Sequence, residues 1–263
     1  MGQREQYLDF AFSCAERAGN IIKKGFHSEK DVFFKSFANP VTQYDKASEA
    51  LITGMIDKKY PRHSILTEEG LSRENDASIK WIIDPIDGTV NFTHRIPFVS
   101  VSIGLEIDKE IVLGVVYNPM LGEWFWAVKG QGAFFNRKMM HVSGVKDPGK
   151  SLIVTGFPYE SAGRVEFLMK PLVKISNNFT GFRRLGSASI DMCYVARGSF
   201  EGFYEENLKP WDTAAGKVIV EEAGGTLSDY SGKSYDIYKK TIIADNGLIH
   251  GDILNLLEDI PTP

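Results

Sequence analysis

Near the start of the chain, Tyr7, Phe10, Ala11, Cys14, Ala15, Ala18, Ile21 and Ile22 recur at spacings of three and four. That marks one apolar face of a helix ending near Gly25. A second helix is predicted over Asp45 to Lys59, with Ala47, Leu51, Met55 and Ile56 on or near one stripe and Pro61 just past its end. The period then changes. Trp81-Ile82-Ile83 is a short apolar run that stops at Asp84-Pro85, and Val99 to Ile107 alternates with period two. Ile111 to Tyr117 and Glu123 to Val128 follow, with turns at Asn118-Pro119, Gly130-Gln131-Gly132 and Asn136-Arg137. This pattern predicts an antiparallel meander.

Beyond about residue 150 short strands (Leu152 to Thr155, Gly202 to Glu205, Ile242 to Ala244) alternate with helices (Arg164 to Ile175, Ala188 to Ala196, Thr213 to Ala223, Leu248 to Glu258). That alternation reads as α/β layering. The predicted organisation is therefore an N-terminal α+β part, 1–150, and a C-terminal α/β part, 151–263. With no long linker the two parts pack closely, and a cleft between them is the natural place for a site.

Composition narrows the function classes. The 263 residues carry 30 Lys+Arg against 34 Asp+Glu, and 43% are hydrophobic. A pI near 5.8 argues against gripping nucleic acid by bulk charge, so no nucleic-acid partner is expected. No run approaches the roughly 18 apolar residues of a membrane span, and Met1 to Glu16 has no secretory signal pattern. No membrane association and a cytoplasmic location are the expectations. Cys14 and Cys193 lie among apolar neighbours and read as buried thiols.

Candidate chemistry concentrates in three carboxylate clusters. Glu68-Glu69 follows the strand-like Ser64-Ile65-Leu66. Asp84-Pro85-Ile86-Asp87-Gly88-Thr89 follows the strand at Trp81. Asp212 stands in Trp211-Asp212-Thr213-Ala214-Ala215-Gly216 at a helix start. Asp84 and Asp87, three residues apart across a Pro turn, can aim both carboxylates at one point, with the Ile86 carbonyl beside them. Oxygen-only ligands suit Mg²⁺, Mn²⁺ or Ca²⁺, and a site with few protein ligands suits Mg²⁺ working with substrate phosphate. The Gly88 and Thr89 amides, opening a short helix, form an anion site. Each cluster also has a plainer reading: Asp212 as a helix cap, Asp87-Gly88 as a turn, Glu68-Glu69 as a solvated pair. The full Asp-Pro-x-Asp-Gly-Thr string is harder to set aside. Its chance occurrence in a chain of this length is on the order of 10⁻⁴.

Trp81 to Thr89 with Asn91-Phe92 resembles the first signature of the inositol monophosphatase family. Trp211 to Gly216, continuing through Glu221-Glu222-Ala223-Gly224-Gly225, resembles the second. The resemblance extends from the first helix to Ala244-Asp245-Asn246. Thr155-Gly156-Phe157-Pro158-Tyr159 and Leu208-Lys209-Pro210 look like bacterial versions.

The resemblance implies a layered αβαβα sandwich and a metal-dependent phosphate monoester hydrolase, with myo-inositol 1-phosphate as the substrate. It implies a first Mg²⁺ on Glu68, Asp84 and the Ile86 carbonyl and a second on Asp84, Asp87 and Asp212. Glu68 would also serve a third, weaker metal through water, and Mn²⁺ is an alternative ion. Thr89 would act with Asp45 on the attacking water, with Asp45 also a cap of the second helix. Glu205 would bind inositol hydroxyls, with Ser187 and Ala188 beside the ring and Asp87, Gly88 and Thr89 around the phosphate. Li⁺ sensitivity and a homodimer are further implications. The aromatic meander at Trp124, Phe125 and Trp126 would supply either apolar surface or core. Lys35 stands between a role near the metals and a surface lysine, and Arg183-Arg184 between an anion site and packing. Glu206, beside Glu205, makes the expected substrate rim more acidic. Rival substrates are fructose 1,6-bisphosphate and other sugar or nucleotide phosphates. A rival of another class is a regulatory binding protein that keeps this fold.

Overall fold

The computed structural model describes residues 2–36, 39–158 and 163–261. The first helix, α1 (Gln3–Phe26), turns Tyr7, Phe10, Ala11, Cys14, Ala15, Ala18 and Ile22 inward, as the spacing predicts. A short antiparallel hairpin of β1 (Val32–Ser36) and β2 (Asn39–Thr42) follows. The hydrophobic pattern does not reveal it, because β1 buries almost nothing: Phe33 and Phe34 are 60% and 67% exposed. Helix α2 (Gln43–Lys59) begins at Thr42, whose side chain and backbone exchange a reciprocal capping pair with Asp45.

The meander forms as predicted. Strands β3 (His63–Thr67), β4 (Asp76–Asp87), β5 (Ser100–Ile107), β6 (Glu110–Asn118), β7 (Glu123–Val128), β8 (Ala133–Phe135) and β9 (Lys138–Met140) line up in that order as one seven-stranded sheet. Only the β3–β4 pair is parallel. Between β4 and β5 lies the short helix α3 (Thr89–His94). The second sheet contains β10 (Leu152–Thr155), β11 (Gly181–Arg183), β12 (Gly202–Glu206), β13 (Thr226–Ser228) and β14 (Thr241–Asp245) in the order β11-β10-β12-β14-β13. It is mixed: β10 runs parallel to β11 and β12, and β14 runs antiparallel.

The layers follow from which faces are apolar. α1 and α2 cover one face of the large sheet through Ile22, Ile52, Ile56, Trp81 and Ile83. Helices α5 (Ala188–Ala196) and α6 (Pro210–Glu222) are sandwiched between the two sheets. α4 (Val165–Asn178) and α7 (His250–Leu257) close the outer face of the second sheet on Ile153, Ile175, Ile243 and Ile253. The architecture is the expected αβαβα sandwich.

One close approach fixes the central layer. Gly104 of β5 and Gly114 of β6 face each other across the ladder. A Cβ at Gly104 would stand 2.8 Å from Ala214 Cβ, and one at Gly114 2.5 Å from the Ala215 carbonyl oxygen. The paired glycines let α6 lie directly on the sheet. Cys14 and Cys193 are both buried and unbridged, as expected. Phe125 is core, while Trp124 and Trp126 face the other way and pack edge-on against Phe12 of α1.

Candidate active site

Asp84 and Asp87 are three apart, so in a regular strand they would point to opposite faces. The β4–β5 register shows why they do not. Asp84 pairs with Ser102 and Asp87 with Ser100, so one extra residue bulges out of β4 between them. The bulge returns both aspartates to one face. The same two serines receive the helix starts of the central layer. Ser102 Oγ donates to the Trp211 carbonyl (3.3 Å), and Ser100 Oγ bonds Ser189 Oγ (2.7 Å). The N-termini of α6 and α5 are thereby brought beside Asp84 and Asp87.

Each carboxylate is then tethered. Asp87 Oδ2 accepts from Ser187 Oγ (2.7 Å), the Ser189 amide (2.8 Å) and Ser189 Oγ (2.5 Å). Asp84 Oδ1 accepts from the Ile86 amide (3.0 Å). Asp212 Oδ2 accepts from the Lys209 amide (2.7 Å), so it is a helix cap and a member of the cluster at once. Asp45 is likewise both: Oδ2 takes the Thr42 amide (2.8 Å), and Oδ1 takes the Thr89 hydroxyl (3.0 Å). Thr89 Oγ1 also lies 3.1 Å from the Ile86 carbonyl. Lys35 bridges Glu68 (2.9 Å) and Glu69 (2.6 Å) and lines the same cavity as Glu68.

Gly88 has φ +92°, and a Cβ there would meet the Phe98 carbonyl oxygen at 2.8 Å. Only glycine takes that turn at low cost. Glu49 and Asn91 are supports that sequence reasoning assigned no role. Glu49 accepts the Glu69 and Leu71 amides (2.7 and 2.9 Å) and holds the glutamate loop. Asn91 donates to the Phe98 and Leu185 carbonyls (2.8 and 2.7 Å) and holds the loop before α5.

The electrostatics are those of crowded acid. Burial, then repulsion from Glu68, Asp87, Asp212 and Asp45, raises the Asp84 pKa well above the carboxylate range. Burial and Asp87 do the same to Asp212. Burial raises Glu68 against the pull of Lys35, and raises Asp87 against its serine hydrogen bonds. Asp45 is pushed by burial up to about 6 although three hydrogen bonds favour its anion. Burial works against the Lys35 ammonium, but its two glutamates raise its pKa overall.

A cavity of about 550 Å³ opens over this array. Glu68, Asp87 and Asp212 line it with Lys35 and Ser187, and so do Glu205, Asp191 and Arg184, which interact with one another and with Asp87. Gly156, Phe157 and Pro158 contribute as well, while Tyr159 lies outside the described residues. Burial, then Asp87, pushes Glu205 up to about 8. Arg183 is exposed and bonds the Phe182 carbonyl, so of the arginine pair only Arg184 faces the cavity. The acidic rim expected from Glu206 is corrected. Its carboxylate takes a two-pronged pair from Arg164 at 2.7 and 2.7 Å, so its charge is compensated.

The donor set fits a hard divalent cation: oxygen ligands only, and carboxylates whose mutual repulsion a cation would relieve. Among the described residues no three His, Cys, Asp or Glu side chains are gathered tightly enough to hold an ion as they stand.

The inositol monophosphatase family matches residues 3–262. The chain is 39% identical over 254 residues to Nus factor SuhB of Pasteurella multocida, covering 95% of each. It is 40% identical over 252 residues to inositol monophosphatase 1 of Solanum lycopersicum, covering 93% of this chain and 92% of that one. The crystal structure of extragenic suppressor protein suhB from Bartonella henselae superposes with a TM-score of 0.93 at 36% identity, covering 97% and 99% of the two chains. A match along nearly the whole length, in sequence and in fold, decides the question: the chain belongs to the inositol monophosphatase family.

Proposed function

We propose that this protein hydrolyses phosphate monoesters of small polyols with Mg²⁺, and that myo-inositol 1-phosphate is its substrate. The observation that carries the reading is one cavity lined by Glu68, Asp87, Asp212 and Glu205, with Asp45 bonded to Thr89, which follows Asp87 closely in the chain. Mg²⁺, or Mn²⁺ in its place, held by Glu68, Asp84, Asp87, Asp212 and the Ile86 carbonyl, would lower the pKa of the attacking water and offset charge on the leaving oxygen.

The chain's own residues do the rest. Thr89 orients the water. Its proton passes through the hydroxyl to Asp45, which is anionic at neutral pH because its pKa is raised only to about 6. The Gly88 and Thr89 amides hold phosphate oxygens, and Ser187 keeps Asp87 in place. Ser187 and Ala188 border the ring, and Glu205 accepts from its hydroxyls. Water oxygen joins phosphorus as the ester bond to the polyol breaks, and no covalent enzyme intermediate is required. Homodimer formation and Li⁺ inhibition belong to the same proposal.

The test is phosphate release from inositol 1-phosphate and fructose 1,6-bisphosphate with Mg²⁺, with EDTA, and with Mg²⁺ plus Li⁺. Mg²⁺-dependent, Li⁺-sensitive release favouring the inositol ester is expected. Preference for the bisphosphate would overturn the substrate and keep the chemistry.

The name Nus factor on relatives near 40% identity favours a second reading, in which the fold also serves a partner in transcription. A catalytically dead variant that restores the phenotype of a deletion strain would support it.

A further inference from the structure

Helix α5 reads along its length as buried apolar packing, yet its fourth residue is an acid. Asp191 is 1% exposed. Its Oδ1 has no hydrogen-bond partner among the described residues, and no other carboxylate oxygen there is buried in that condition. The contrast with its neighbours is sharp. Asp45, Asp87 and Asp212 accept from hydroxyls or amides, and Glu68 and Glu206 from Lys35 and Arg164. A buried carboxylate left unpaired is costly, and an apolar residue would suit a purely structural position better.

Position explains it. The Asp191 amide bonds back to the Ser187 carbonyl (3.0 Å), so Asp191 stands one helical turn above the Ser187-Ala188 rim. It lines the same cavity as Glu205, whose carboxylate lies so close over Gly156 that a Cβ there would come within 2.2 Å of it. Arg184, stacked 5.5 Å from the Phe157 ring, attracts both acids. Two acids and one arginine meet on the wall of the same cavity.

We infer that Asp191 is a specificity-determining residue: a second hydroxyl acceptor beside Glu205, which selects esters whose leaving group presents two hydroxyl donors at the end away from phosphorus. The inference rests on the phosphomonoesterase reading above. The two carboxyl groups offer oxygens to hydroxyls, and neither offers the positive charge that a second phosphate needs. The chain therefore favours a neutral polyol monophosphate over a bisphosphate.

The experiment compares wild type with Asp191→Asn, which keeps the shape, and Asp191→Ala, which removes the acceptor. Inositol 1-phosphate and p-nitrophenyl phosphate are hydrolysed side by side with Mg²⁺, the second ester having no hydroxyl on its leaving group. Losing this buried hydrogen bond should lower the ratio of kcat/KM between the inositol and nitrophenyl esters by about 10-fold in Asp191→Ala. The loss should fall chiefly in KM, with a smaller loss in Asp191→Asn. Preference for the inositol ester over fructose 1,6-bisphosphate should also shrink. An equal fall with all esters would make Asp191 a structural counter-charge to Arg184 and overturn the inference. If wild type hydrolyses no ester, the reaction itself is wrong. Saturation-transfer NMR with free myo-inositol then decides Asp191: binding lost in Asp191→Ala supports it, and no binding to wild type overturns it.

Discussion

The buried acids of the site form two sets that differ in how they are held. Around Asp84 and Asp87, every buried carboxylate has a donor from backbone, serine, threonine or lysine. Geometry there is fixed before any ligand arrives, which is what charge stabilisation in a transition state needs. Asp191 and Glu205 are buried in the wall of the same cavity, Asp191 Oδ1 has no hydrogen-bond partner among the described residues, and Arg184 attracts both acids. They are held for a ligand rather than by the protein. Fixed donors serve chemistry, and unpaired acceptors serve recognition.

The sharpest way to break this comparison is Asp84→Asn. It removes a carboxylate at the centre of the tethered set and should lower kcat on the order of 10³-fold. The folded protein should be no less stable, since burial and four acidic neighbours already disfavour the Asp84 anion. Near-normal phosphate release from this variant would remove the tethered set from catalysis.

Gly88→Ala tests the backbone beneath it. The added Cβ meets the Phe98 carbonyl oxygen at a positive φ, so unfolding should cost about 1–3 kcal/mol less. Urea denaturation read by circular dichroism measures this. An unchanged midpoint would mean that the turn is not strained.

The pH dependence of stability distinguishes acids held apart from acids held by a cation. Asp45 and Glu205 have folded pKa values raised to about 6 and about 8, so the native state keeps protons that the unfolded state releases. Stability of the metal-free protein should therefore fall as pH rises from about 4 through 8. Melting at pH 5 and pH 8 in EDTA should show the lower midpoint at pH 8, and Mg²⁺ should narrow the gap. A midpoint that climbs with pH in EDTA would contradict the raised values.

The smallest effect should come from Lys35→Ala. Its ammonium is partly exposed, and such pairs contribute about 0–1 kcal/mol. Activity should drop only a few-fold, about what that energy gives. A loss as large as that of Asp84→Asn would place Lys35 in the reaction itself.

Much of this was legible in the chain. The helix stripes, the meander and the Asp-Pro-Ile-Asp-Gly-Thr string are local patterns, and local patterns carry periodicity and turn chemistry. The hairpin of β1 and β2 was not, because Phe33 and Phe34 stay exposed and no face alternates. Asp191 was hidden by its neighbours, since one acid in Ala188 to Ala196 does not alter an apolar helix. Glu206 was misjudged because its partner Arg164 stands 42 residues away.

The sequence by itself determined the chemistry available: oxygen ligands, a threonine beside an aspartate motif, and alternating serines on one strand. The tertiary structure alone decided which of these share a space. The bulge in β4 put Asp84 and Asp87 on one face. Gly104 and Gly114 let α6 settle against the sheet, with the helix start and Asp212 beside that face. The reason is physical. Periodicity is a property of neighbours along the chain, whereas register and the landing of a helix on a sheet are set by packing between residues far apart in it.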